Sequence, residues 1–454
     1  MGEPAEQRLW WIVAAIAALG LALRVAAAQG GLWLDEAWSA LMADQARTPV
    51  GVFLHINHDN NHHLNSLWLQ LVGLDAPPWL QRALSIATGT ATILIAALIG
   101  ARRSPATAIV AALLFALSPI LVTYGSEARG YAPMLLALMT GVWLVDRWLE
   151  APDGPAPAIP LALVALLGLL SQLTMAFGLA ALGLSAAWSL RGRGARGAAL
   201  ALTRAFAPAA IVALAVVAGI WAAARPAGGL HFGAMEPFTL AGWTSGLGQN
   251  VEYSFGHLLA PLAALLVLFL RGFRLRRDRL NGFALVAAIL VPATILALRL
   301  PNPGGARYYL LTSVAALLFA AGAIAVADRL RAALALALLL VPMAALSLQT
   351  IADQRADPAR ALAAIAARAP TGTDAAVERP RSEAILIAAA TSARYPLALR
   401  QSCPAARFLF VERDGAEPFP ATATHCGTVY REIAGDTVDA LSGTQWKLYE
   451  RSAR

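Results

Sequence analysis

The chain has 454 residues, 58% of them hydrophobic and 14% charged, with a mean hydropathy of +0.61 and a formal net charge of +8. A soluble domain carries charge on about 25% of its residues, so an ordinary soluble protein is excluded, and apolar runs long enough to cross a bilayer recur between residues 10 and 348. The positive charge does not indicate nucleic acid, because it is almost all arginine in short gaps between apolar runs, Lys447 is the only lysine, and no basic face or recognition motif is present.

A spanning helix needs roughly 20 apolar residues, with about 17 still sufficient. That length predicts an α-helical polytopic membrane protein of about eleven transmembrane helices, over residues 9–28, 79–100, 105–123, 131–149, 159–173, 175–190, 205–224, 257–270, 280–298, 309–327 and 332–348. The first run contains Arg24 and is followed by a Trp-rich acidic segment rather than a small-residue cleavage site, so it reads as a retained helix, not a signal peptide. Arginine bias sets orientation. A cytoplasmic N-terminus places Arg102, Arg103, Arg147, Arg191, Arg193, Arg196 and the group Arg271, Arg274, Arg276 and Arg277 inside. The first loop (30–78), the turn at 125–130 and the C-terminal tail then face outward.

Residues 1–349 form the expected membrane domain and 350–454 a small extracytoplasmic α/β domain. In that tail, 349–370 has helical spacing, while ILIAAA (385–390) and ARFLFVE (406–412) read as short strands. Cys403 and Cys426, the only cysteines, can pair if the tail lies in an oxidising compartment. Residues 224–256 form a long outward loop, read either as a fold over a groove or as a lid anchored at headgroup level by Trp243 and Tyr253. No nucleotide loop, phosphate loop, zinc spacing or transporter-type repeat stands out.

Chemistry concentrates in the first loop, which holds Asp35, Glu36 and four of the seven histidines. Polar groups this dense are expensive in hydrocarbon, so the segment belongs outside the bilayer core or in a wet cavity. Adjacent residues on a helix point about 100° apart, so the two carboxylates do different jobs. Asp35 is the candidate general base, Glu36 the residue that orients an acceptor or a neighbouring cation, and a helix cap at Asp35 is compatible with both. His55, His58, Asp59, His62 and His63 are candidate substrate ligands; His58 and His62, four apart, would face one way on a helix and form the one weak candidate pair for a divalent metal.

Two later clusters belong to the same outward side. SEARGYAPML carries Glu127, Arg129 and Tyr131, in which Arg129 either meets phosphate oxygens or closes the loop by pairing with Glu127; Arg82 at the second helix can join that patch or snorkel. RYYLLTSVAALL carries Arg307 and Tyr308, either a phosphate and sugar contact or an aromatic-belt anchor.

These segments, in this order on one side, resemble the membrane-embedded GT-C glycosyltransferases, close to the dolichyl-phosphate-mannose protein mannosyltransferases and the aminoarabinose transferases of lipid A. The resemblance covers roughly residues 9–348. It implies a GT-C-like fold and inverting transfer of a sugar from a polyprenyl-phosphate donor to an extracytoplasmic lipid, glycan or protein acceptor, with Asp35 as the base. No certain cofactor is implied, and the partners are the donor, the acceptor and membrane lipids. The chain departs from the family at HDNNHHLNS, where a His-Pro pattern is usual, which leaves a changed acceptor or a divalent metal open. The rival classes are a lipid-linked glycan polymerase or ligase and a lipid or glycan transporter, the last expected to bury its ionisable groups midway along broken helices. The Ala- and Arg-rich composition suggests a bacterial inner membrane.

Overall fold

A computed structural model describes residues 3–233, 235–257, 279–400, 403, 405–415 and 417–452. Among these residues six stretches are long and apolar enough to cross a membrane: Pro4–Ala27, Ala83–Ala101, Met175–Ala227, Arg279–Leu298, Ala306–Ala325 and Arg329–Asp353. The expectation of about eleven spans in a GT-C-like bundle is therefore corrected: six stretches qualify by length and composition, and the apolar helices Pro105–Leu117 and Ala158–Ser171 fall short of that length.

The shortfall has local causes. Pro119 follows Ser118 and splits the third expected helix into Pro105–Leu117 and Pro119–Tyr124, because proline removes a backbone donor and disfavours the helical conformation before it. Ala158–Ser171 is only 14 residues long, and Tyr131–Trp148 carries Asp146 and Arg147 near its end. The runs expected at 175–190 and 205–224 belong to one stretch, in which a short turn at Arg191–Arg193 joins Met175–Leu190 to Gly194–Ala224. The segment expected at 257–270 lies, beyond His257, outside the described residues, as do Arg271, Arg274, Arg276 and Arg277.

The helices pack through small residues. One continuous core joins Ala96, Ala97, Ala108, Ala112 and Ala116 to Ile93, Leu114 and Phe115, all of them wholly buried. Alanine lets backbones approach closely, which is how helices associate where no hydrophobic drive separates protein from lipid. Arg24, inside the first stretch, is likewise buried and spends its guanidinium on the carbonyls of Gly20, Phe115 and Ala116. At 1.5 Å per residue, Ala83–Ala101 separates its ends by roughly 28 Å. Arg82 stands at one end; at the other, Arg102 and Arg103 clamp Asp146 at 2.7 and 2.6 Å.

The C-terminal part is a six-stranded sheet with the strands β1 (Thr373–Val377), β2 (Leu397–Leu399), β3 (Phe408–Arg413), β4 (Thr422–His425), β5 (Thr428–Asp436) and β6 (Gln445–Arg451), ordered β2-β1-β3-β6-β5-β4. β1 runs parallel to β2 and β3, and the remaining pairs are antiparallel. Both faces of β3 are covered. Phe408 and Phe410 share a core with Trp446 that continues through the helix Glu383–Ser392 to Ala37, Ala40 and Ala43 of the helix Leu34–Ala46, whereas Leu409 and Val411 share another with Tyr430 and Tyr449. The expected strand at 406–412 is β3. The one expected at 385–390 is instead the helix Glu383–Ser392: an apolar run this short does not separate strand from buried helix, and its alanines favour helix. Cys403 and Cys426 form a disulfide.

Candidate functional site

The first loop folds into the helices Leu34–Ala46, Pro49–Leu54 and His63–Val72. Trp33 is the N-cap of the first, so Asp35 and Glu36 sit in its opening turn, where the helix dipole favours negative charge. Their side chains diverge. The Asp35 side chain is 27% exposed, while Glu36 is wholly buried.

Glu36 is a structural lock. Its Oε1 accepts from Arg82 Nε at 2.9 Å and from the Ala128 N–H at 2.7 Å, and its Oε2 accepts from Arg82 Nη2 at 2.6 Å and from the Trp33 N–H at 3.2 Å. The helix-capping bond expected of Asp35 is thus made by Glu36. Burial alone would raise the Glu36 pKa, but the charge and hydrogen bonds of Arg82, helped by Arg355 and the Ala128 N–H, outweigh it and hold the carboxylate below its ordinary range. With no exposed surface, Glu36 cannot orient an acceptor; of its two expected roles, holding a cation is the one it performs. Arg82 directs its remaining donors to the carbonyls of Ala28, Gln29, Gly30 and Gly31. With every donor occupied and no exposed surface, Arg82 does not join a phosphate patch.

Asp35 faces the other way. Its Oδ2 lies 2.7 Å from Arg129 Nη1 and 3.5 Å from Arg307 Nη1, while Oδ1 has no hydrogen-bond partner among the described residues. The Arg129 guanidinium is 5.0 Å from the Tyr131 ring centre and 5.7 Å from that of Trp33, and Arg307 stands 5.4 Å over Tyr308. Asn60 completes the frame: its Oδ1 accepts from Arg129 Nη2 at 2.7 Å, and its Nδ2 donates to the Asp35 carbonyl and to Ser39 Oγ at 2.8 and 3.0 Å. Arg129 therefore pairs with Asp35 and not with Glu127.

The turn that carries Arg129 is pinned from three sides, by Glu36 on Ala128 N–H, by Asn65 Nδ2 on Ala128 O at 2.6 Å and by Ser85 Oγ on Arg129 O at 3.0 Å. Gly130 is required there, since a Cβ would lie 1.8 Å from the Ser171 carbonyl oxygen. Glu127, expected at the substrate, is wholly buried instead. Neither of its oxygens has a hydrogen bond among the described residues; Arg355 Nε is 3.9 Å away, and burial, only partly opposed by Arg355 and Arg129, raises its pKa.

The histidines scatter. His58 is not helical: it pairs in a parallel bridge with His231, and its Nδ1 lies 2.8 Å from Asp59 Oδ1. Asp59 is held below its ordinary pKa because bonding and charge from His58, with lesser help from the Gly233 N–H and Arg307, overcome the effect of burial. His62 precedes the helix His63–Val72, and its Nδ1 faces Ser171 O at 3.1 Å, so that nitrogen carries the proton. Burial and then the Arg129 charge push the His62 pKa well down, and burial lowers His63, stacked on Phe53, to about 4. His55 is exposed at the end of Pro49–Leu54. The expected helical metal pair of His58 and His62 is thus not formed, and among the described residues no group of three His, Cys, Asp or Glu can hold a metal ion. The expected loop at 224–256 is corrected in its second half, which is the helix Leu240–Phe255 with Trp243 Nε1 donating to Pro292 O; its first half reaches the site, with the His231 N–H on Asn57 O at 2.7 Å.

Sequence reasoning missed Asn60 and Arg355. Asn60 stood within the quoted HDNNHHLNS stretch; nothing local marks Arg355. No family model matches the chain, and no curated protein matches it.

Proposed function

We propose that this protein is a membrane glycosyltransferase that moves a sugar from a polyprenyl-phosphate donor to an extracytoplasmic acceptor. The observation that carries the reading is the convergence of Asp35 with Arg129 and Arg307, from three separate segments, at one partly open place. Asp35 takes the proton of an acceptor hydroxyl or amine, whose heteroatom attacks the anomeric carbon from the face opposite the phosphate. The bond from that carbon to the phosphate oxygen breaks with inversion, and polyprenyl phosphate leaves with the electron pair. Arg129 and Arg307 oppose the charge that develops on the leaving phosphate. In competing for both guanidiniums, that phosphate frees the Asp35 carboxylate to accept a proton.

Arg307 stands against an apolar wall of Met134, Leu138, Phe177, Val291 and Leu311 that is closely packed, with about 10 Å³ of free space between them. The Cys403–Cys426 disulfide and the arginines at the opposite end of Ala83–Ala101 support an outward site, with a cytoplasmic N-terminus, in a bacterial inner membrane. The test is a transfer assay on purified protein with a panel of radiolabelled polyprenyl-phosphate sugars. Label moving from at least one donor to an extractable acceptor is the expected result; label moving from none, with movement of intact lipid or glycan across vesicles instead, contradicts it.

A further inference from the structure

The helix that carries Asp35 has an unusual start. Trp33, its N-cap, has no acceptor to offer the first-turn N–H groups, which a helix cannot satisfy internally. The Leu34 N–H is taken instead by Thr444 Oγ1 at 3.0 Å, from a residue 410 positions later in the C-terminal domain. The same domain takes the Trp38 indole N–H on Arg381 O at 2.7 Å and the Gly31 N–H on Asp357 Oδ1 at 2.7 Å. Asp35 is thus bracketed on both sides by bonds to a domain outside the bundle.

That domain is fixed to the bundle through Arg355. Gln354, Arg355 and Ala356 are three consecutive non-glycine residues in the left-handed region, with φ of 45°, 57° and 54°. Such a run persists only where surrounding contacts over-determine it. Here they do. Arg355, 2% exposed, donates to Ala27 O at 2.6 Å, to Thr123 O at 3.1 Å and to Ser126 Oγ at 2.8 Å. Its own carbonyl accepts the Thr444 N–H at 3.2 Å, and that of Ala356 accepts the Trp446 indole N–H at 2.6 Å. One residue therefore grips the bundle with its side chain and the Thr444 segment with its backbone.

We propose that Arg355 is a positioning residue: through Thr444 it lets the C-terminal domain cap the Asp35 helix from outside and so sets the place of the Asp35 carboxylate. The proposal rests on Asp35 being the working base, but its first readout does not. In purified full-length protein, Arg355→Met and, as a milder variant, Thr444→Val should speed amide exchange at residues 34–40 by about tenfold, the scale of a lost helix cap, while residues 83–101 keep their protection. Thr444→Ser, which retains the hydroxyl, should restore it. The same two variants should lower kcat for sugar transfer with KM for the donor unchanged. Unchanged exchange at 34–40 in Thr444→Val overturns the proposal, as does an equal rise at 83–101. Wild-type protein that transfers no sugar sinks the glycosyltransferase reading alone, and the exchange data still decide the positioning role.

Discussion

Glu36 and Arg82, 46 residues apart, are joined by two hydrogen bonds of 2.9 and 2.6 Å with neither side chain exposed, while the neighbouring Asp35 side chain stays 27% exposed. Two carboxylates adjacent in sequence thus differ in place: Glu36 holds the turn at Ala128 and the Arg82 guanidinium that binds the carbonyls of residues 28–31, whereas Asp35 faces Arg129 and Arg307.

Removing one partner of such a pair strands the other as a buried charge. Glu36→Ala is expected to cost about 3–5 kcal/mol, visible as a lower midpoint in thermal or denaturant unfolding, whereas Asp35→Asn should change that midpoint by about 1 kcal/mol or less. Because the Glu36 pKa is depressed in the folded state, its contribution is complete above the unfolded value of about 4.3 and is lost only as pH falls below it. A Glu36→Ala protein as stable as wild type at pH 7 would remove the lock.

Glu127 carries the opposite sign. Its folded pKa is raised, so the stability it lends is present below about pH 4.3 and declines as pH rises toward the folded value. Glu127→Gln keeps the shape and lacks the titration. The difference in Tm between this variant and wild type should therefore move in the variant's favour as pH rises above about 4.3; a constant difference, or one moving the other way, contradicts the raised pKa.

The two site arginines should separate kinetically. Arg129 holds Asp35 and Asn60 at once, a forked contact that lysine cannot reproduce, so Arg129→Lys should lower kcat by about 100-fold. Arg307, more exposed than Arg129 and farther from the Asp35 carboxylate, should act mainly on donor binding, so that Arg307→Gln raises the donor KM more than it lowers kcat. Steady-state kinetics on both variants, with the reverse pattern as the contrary result, test that division.

Much of the site was legible because its members lie in short polar segments between long apolar runs. Asp35, Arg129, Tyr131, Arg307 and Tyr308 do gather, since helices that return to one membrane face bring such segments together. What the sequence could not convey was which polar group faces which. Glu36, Arg82 and Glu127 have the same composition cues as Asp35 and Arg129, yet are buried, because pairing across 46 or more residues leaves no local trace. His58 and His62 have helical spacing, but the helix starts only at His63. The span count failed for a related reason: apolar length does not register Pro119, which stops a helix inside an unbroken apolar run.

The most direct measurement is sugar transfer by purified Asp35→Asn protein, with its fold checked by unfolding midpoint, against wild type on a donor the wild type uses. If Asp35 is the working base, the rate falls by about 100-fold or more at an unchanged midpoint, the loss that follows removal of a positioned general base. Transfer at the wild-type rate would contradict that role.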